Sequence, residues 1–140
     1  MKPDTLEARL LKRLSRKRGD VFLRADFADL GGYDQVGRIL RELVRKGQLI
    51  KMGYGVYTRT RPSILDGTPV PVKGIRELAT EALGRFGVET TPTRMEAAYN
   101  AGRTTQVPTG RVVGIRGRIR RRLNYGNVPL SFERAGPTTR

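Results

Sequence analysis

Apolar positions recur with a helical period over the first third of the chain, broken by shorter strand-like runs. Leu6, Leu10, Leu11 and Leu14 share one helix face, which predicts a helix from about Thr5 to Lys17 with Asp4 or Thr5 as its cap. Gly19-Asp20 ends that period, and Val21-Phe22-Leu23 is a short apolar run suited to a strand. Arg24 to Leu30 reads as a short helix with Phe27 and Leu30 inward. After Gly31-Gly32 a longer period begins, in which Val36, Ile39, Leu40, Leu43 and Val44 fall together before Gly47 stops it. Gln48 to Met52 and Val56 to Arg59 then read as two strands around Gly53-Tyr54-Gly55.

From Thr60 to Lys73 the prolines at 62, 69 and 71 and Gly67 interrupt every period, so residues 62–72 are expected to be a linker. A second unit, 73–134, opens with Ile75, Leu78, Ala79, Ala82, Leu83 and Phe86 on one helix face, ending at Gly87. Thr91-Pro92-Thr93-Arg94-Met95-Glu96 marks another helix start, with Thr93 and Glu96 at capping-box spacing. That helix ends near Gly102. Beyond Val107-Pro108, three strands are expected: Arg111–Ile115, Arg118–Asn124 and Val128–Arg134. Asn124-Tyr125-Gly126-Asn127 forms the turn between the last two. Residues 135–140 are expected to fray. The fold class is therefore α+β. Residues 1–61 form a winged helix-turn-helix, followed by a small helix-plus-β-strand C-terminal unit.

Charge gives that layout a partner. The 140 residues carry 28 Lys/Arg against 13 Asp/Glu, a net charge of +15. Up to Pro62 there are 15 basic and 7 acidic residues, and beyond it 13 and 6, so the halves hold +8 and +7. Self-repulsion of this size opposes compaction, which points to a polyanion: DNA, RNA, an acidic protein or an anionic membrane. The membrane is the weakest of these, because no apolar run approaches the roughly 20 residues of a spanning helix. No signal-peptide pattern follows Met1 either, and the expected location is cytoplasmic. Cysteine and histidine are both absent, which removes disulfides, the commonest soft metal ligands and the usual catalytic bases and thiols together. No cofactor, metal site or catalytic residue is expected, and the carboxylate pairs Glu77/Glu81 and Asp26/Asp29 read as surface charges.

Four basic constellations remain. Opposite the apolar face of the Gly31–Gly47 helix lie Asp34, Arg38, Arg41 and Arg45. In a helix-turn-helix the N-terminal part of the second helix meets the bases. Tyr33, Asp34, Gln35, Arg38 and Arg41 are thus candidate readers, and Arg45 a phosphate contact. The alternative is a solvated face laced by Asp34–Arg38 and Arg38–Glu42 pairs. Around the hairpin tip, Lys51, Tyr54, Arg59 and Arg61 are candidate wing contacts, although the hairpin could simply cover the core, with Tyr57 inside. On the first helix Arg13, Arg16 and Lys17, with Arg9 and Lys12, could neutralise phosphates or be solvated. Lastly, Arg116, Arg118, Arg120, Arg121 and Arg122 belong to a run of six arginines between 111 and 122 that meets no acid. As a strand, Arg118, Arg120 and Arg122 share a face; as a helix the segment would suit RNA. An acidic protein partner fits equally.

The order of these segments resembles the AbiEi-like antitoxins, the winged-helix component of type IV toxin–antitoxin systems. The resemblance runs through Val21-Phe22, Asp26-Phe27, the stretch Val36 to Gly47, Leu49-Ile50-Lys51 and Gly53-Tyr54-Gly55-Val56-Tyr57. It continues in Ala101-Gly102-Arg103-Thr104-Thr105-Gln106-Val107-Pro108, Gly126-Asn127 and Phe132-Glu133-Arg134. Gly31-Gly32-Tyr33 stands where a Ser-rich helix cap is usual, and the chain is short for that family. The resemblance implies a repressor that binds double-stranded operator DNA of its own operon. It also implies a C-terminal unit that helps neutralise a nucleotidyltransferase-like toxin. Oligomeric state stays open.

Overall fold

The structure is a computed structural model that describes residues 5–135. Thr5 caps the first helix, α1 (Leu6–Arg16), its hydroxyl accepting the Ala8 N–H at 3.0 Å. Asp4, the other expected cap, and residues 136–140 of the tail expected to fray lie outside the described residues. The chain divides into two compact units, Met1–Val72 and Lys73–Arg140. Each mixes helix and strand, an α+β organisation.

In the first unit α1 leads to β1 (Val21–Leu23), a 3-10 turn (Arg24–Phe27), α2 (Tyr33–Arg45), β2 (Leu49–Gly53) and β3 (Val56–Pro62). The expected helix over 24–30 is thus only a turn. Its start is held by Asp26 Oδ2 accepting the Leu23 N–H at 2.9 Å, and i→i+3 bonds carry it on to Leu30. β3 is the central strand, antiparallel to β1 on one side and β2 on the other. Leu10, Leu14, Phe22, Phe27, Val36, Ile39, Leu40, Leu43, Leu49 and Tyr57 form one core, so the helical period did select the inward faces. Leu6, Leu11, Leu30 and Val44 are only partly buried around it.

Residues 62–72, read as a linker, turn back onto this sheet. β4 (Pro69–Pro71) pairs antiparallel with the end of β3, Thr60 opposite Pro71. Proline is tolerated because β4 is an edge, where a missing N–H breaks no ladder. The connecting turn is closed by Ser63 N–H donating to the Thr68 carbonyl at 2.8 Å. Asp66 Oδ1 accepts from both the amide and the hydroxyl of Thr68. Ile64 and Leu65 stand at its tip, 93% and 91% exposed.

The second unit runs α3 (Ile75–Arg85), β5 (Glu89–Thr91), α4 (Arg94–Asn100), β6 (Val112–Arg116), β7 (Asn124–Tyr125), β8 (Val128–Pro129) and β9 (Ser131–Arg134). α3 buries Leu78, Ala79, Ala82 and Leu83. α4 begins at a reciprocal box in which Thr93 Oγ1 accepts the Glu96 N–H and Glu96 Oε1 accepts the Thr93 N–H. The sheet order is β5-β6-β9, with β6 antiparallel to β5 and parallel to β9.

Two strand expectations fail here. Residues 118–123 form no strand. Gly117, at φ +94, turns the chain out of β6, whose two edges are taken by β5 and β9. The strand expected over 128–134 is broken at Leu130, which is buried and donates its N–H to the Leu123 carbonyl at 3.0 Å. Past it, β9 joins a different sheet from β8. No helix among the described residues is long and apolar enough to cross a membrane.

Candidate nucleic-acid interface

The candidate surface of the first unit is built on α2 and the β2–β3 hairpin. Burying Val36, Ile39, Leu40 and Leu43 obliges α2 to turn Asp34, Arg38, Arg41 and Arg45 outward. Those side chains are not equivalent. Arg45 is bound by Glu42 through two hydrogen bonds, at 2.6 and 3.2 Å, and this holds the Glu42 carboxyl below the usual carboxylate range. Arg38 and Arg41 are exposed and make no hydrogen bond or ion pair with another described residue. The Asp34–Arg38 and Arg38–Glu42 pairs weighed above close no salt bridge, although the Arg38 charge contributes to lowering the Glu42 carboxyl. Gln35 turns back to the helix start, its Oε1 accepting the Gly32 N–H at 3.4 Å.

At the N-terminal end of α2 the helix and the hairpin tip are joined directly. The hydroxyls of Tyr33 and Tyr54 lie 2.7 Å apart, although the two residues are 61% and 68% exposed. That hydrogen bond, with desolvation second, raises the Tyr33 phenol above its ordinary value. Arg24 lies beneath. Its guanidinium stacks 3.5 Å from the centre of the Tyr33 ring and donates to the Tyr33 carbonyl at 2.6 Å. Its backbone N–H reaches the Gly55 carbonyl of the hairpin at 2.9 Å. The guanidinium also fills the space where a Cβ at Gly37 would be, which explains a glycine in the middle of a buried helix face. Arg24 Nε is buried there without a hydrogen-bond partner. Lys51 completes the row, its ammonium 5.9 Å from the Tyr54 ring centre. The sequence alone did not single out Arg24, because its role depends on a missing side chain thirteen residues away and a ring from another element.

The flanking candidates divide. Arg61 is exposed and donates to the Pro62 carbonyl at 3.3 Å. Arg59, expected at the wing, lies half-buried against the end of α1. It donates to the carbonyls of Leu14 (2.8 Å), Lys17 (2.7 Å) and Gly19 (3.3 Å), stacks on Phe22 and pairs with Asp20. It serves as the C-terminal cap of α1. On α1, Arg13 forms a two-pronged pair with Asp29 and also donates to the Asp26 carbonyl. Its hydrogen bonds lower the Asp29 carboxyl from its usual range. Lys17 lies 3.8 Å from Asp26, while Arg16 is exposed. Together with Arg9, Lys12 and Leu30 these three line an open groove of about 460 Å³.

In the second unit the arginine run is likewise split. Arg116 is 3.8 Å from Glu89, and Arg121 stacks 4.1 Å from the centre of Phe86. Arg118, Arg120 and Arg122 are exposed on the irregular segment after Gly117. No group of three or more acidic side chains able to hold a metal occurs among the described residues, and the chain supplies no Cys or His.

Residues 9–139 match DUF6088, a family of unknown function. The chain belongs to this family. No curated protein and no solved structure matches it. The DUF6088 assignment covers both units but carries no chemistry, so function rests on the arrangement of cations and aromatics just described.

Proposed function

We propose that this DUF6088 protein binds double-stranded DNA sequence-specifically and represses its own operon. In this reading the first unit is a winged helix-turn-helix: the turn Arg24–Phe27 precedes α2 as recognition helix, and the β2–β3 hairpin is the wing. The observation that carries it is the pair Arg38 and Arg41. They are outward cations of α2 that no hydrogen bond or salt bridge holds among the described residues, on a helix whose opposite face is locked into the core. A free guanidinium can donate two parallel hydrogen bonds to O6 and N7 of guanine, a match Lys lacks. Arg38 and Arg41 are assigned to base edges, with Tyr33 and Gln35 beside them, and Lys51, Tyr54 and Arg61 to the backbone. Arg45 becomes a weaker phosphate candidate because Glu42 already holds it.

The sequence resemblance to AbiEi-like antitoxins supports the autoregulatory role, with a co-encoded nucleotidyltransferase-like toxin as the second partner. The protein is then a cytoplasmic binding protein and not an enzyme. Binding to its own upstream region is compared with random duplex at one salt concentration. Arg38→Ala is expected to cost about 1–3 kcal/mol on the cognate site and to relax one base position. Equal weakening on random DNA would remove Arg38 from base reading. A genome with no toxin-like neighbour would remove the antitoxin role and leave the regulator.

A further inference from the structure

The arginines after β6 form a second basic surface, which the reading above does not use. Gly117 lifts the chain out of the sheet, and Leu123, buried and bonded through its carbonyl to the Leu130 N–H, brings it back. Between these anchors Ile119 is half-buried while Arg118, Arg120 and Arg122 are exposed. None of the three makes an ion pair or hydrogen bond with another described residue. From 97 to 132 the sequence has no Asp or Glu at all.

We propose that this loop grips the phosphate backbone of duplex DNA, without sequence preference, through Arg118, Arg120 and Arg122. The proposal rests on the duplex-DNA reading of the first unit and assigns a further site. One feature favours phosphate over an acidic protein. Protein interfaces bury an apolar or aromatic centre inside a polar rim. Among the described residues no exposed large apolar side chain lies in the loop. A cationic loop without apolar anchors suits a partner whose surface is uniform negative charge. Arg121 is excluded because it stacks on Phe86, and Arg116 because it lies beside Glu89.

The test measures affinity of the full chain for a random-sequence duplex across a salt series. Each phosphate contact contributes about 0.9 to the slope of log K against log salt. The variant Arg118→Ser/Arg120→Ser/Arg122→Ser is expected to lower that slope by about 2–3 while leaving the ratio of cognate to random affinity unchanged. Arg94→Ser/Arg103→Ser, at two exposed arginines elsewhere in the same unit, serves as the control. An unchanged slope in the triple variant overturns the proposal, including the case in which it loses a protein partner instead. An equal fall per arginine in the control also overturns it, since that would report net charge alone. A wild-type chain that binds random duplex without sequence preference sinks the repressor reading and leaves the loop result standing. Failure to bind any duplex sinks both.

Discussion

Gly37 and Arg24 show how a single absent side chain can organise a surface. A glycine inside a helix ordinarily costs about 0.5–1 kcal/mol relative to alanine, so Gly37→Ala should stabilise α2 on propensity alone. Here the added Cβ would overlap the Arg24 guanidinium and drive it off the Tyr33 carbonyl. A hydrogen bond to a charged group is worth about 1.5–3 kcal/mol, so the loss outweighs the gain and Gly37→Ala should destabilise. In an Arg24→Ala background the same change should turn stabilising, and chemical denaturation of the four-member cycle reads the reversal. A Gly37→Ala that stabilises in both backgrounds would mean that Arg24 is not seated there. The Tyr33–Tyr54 bond makes a separate prediction. Tyr54→Phe keeps the ring but removes the hydroxyl partner, so the raised Tyr33 phenol should titrate closer to its ordinary value. Ultraviolet titration of phenolate absorbance measures this directly.

At the scale of elements, helices were far more legible than strands. The inward faces of α1, α2 and α3 follow from the period, because helical contacts lie three or four residues apart in sequence, and the start of α4 follows from its capping box. β5 is three polar residues with no alternation to notice, and the parallel pairing of β6 with β9 joins segments nearly twenty residues apart. The arginine count announced a polyanion but could not say which side chains the fold itself would engage. Arg13, Arg45 and Arg59 are held by partners distributed over α1, α2 and the turns. Arg59 supplies the sharpest test. Arg59→Ala removes one donor from the Leu14 carbonyl and the donor from those of Lys17 and Gly19, and should cost about 2–3 kcal/mol of stability by denaturation. Affinity for random duplex should change little beyond the effect of one charge. The Arg13–Asp29 pair links α1 to the turn that precedes α2 and gives a pH signature. Its carboxyl is depressed in the folded state, so its stabilisation is present above the unfolded value near 4 and fades as pH falls through the lower folded one. Asp29→Asn should therefore show a shallower loss of stability with acid than the parent.

For the whole molecule, the absence of histidine and cysteine leaves no side chain with an ordinary pKa between about 5 and 8. The net charge of +15 is thus constant across that span, apart from a terminal amine. Affinity for random duplex at fixed salt should be flat from about pH 6 to 8, which anisotropy measurements check. A step in that interval would point to a shifted group within the bound surface. The placement of β9 has a different consequence, in time. A ribosome that has delivered Pro71 has supplied every strand of the first sheet. The second sheet stays incomplete until Ser131–Arg134 emerge. During synthesis, a nascent chain holds all the parts of its α2 surface well before its second unit can close. A message cut short after Pro71 and before Arg118 would encode a partial product with the first basic surface and without the second.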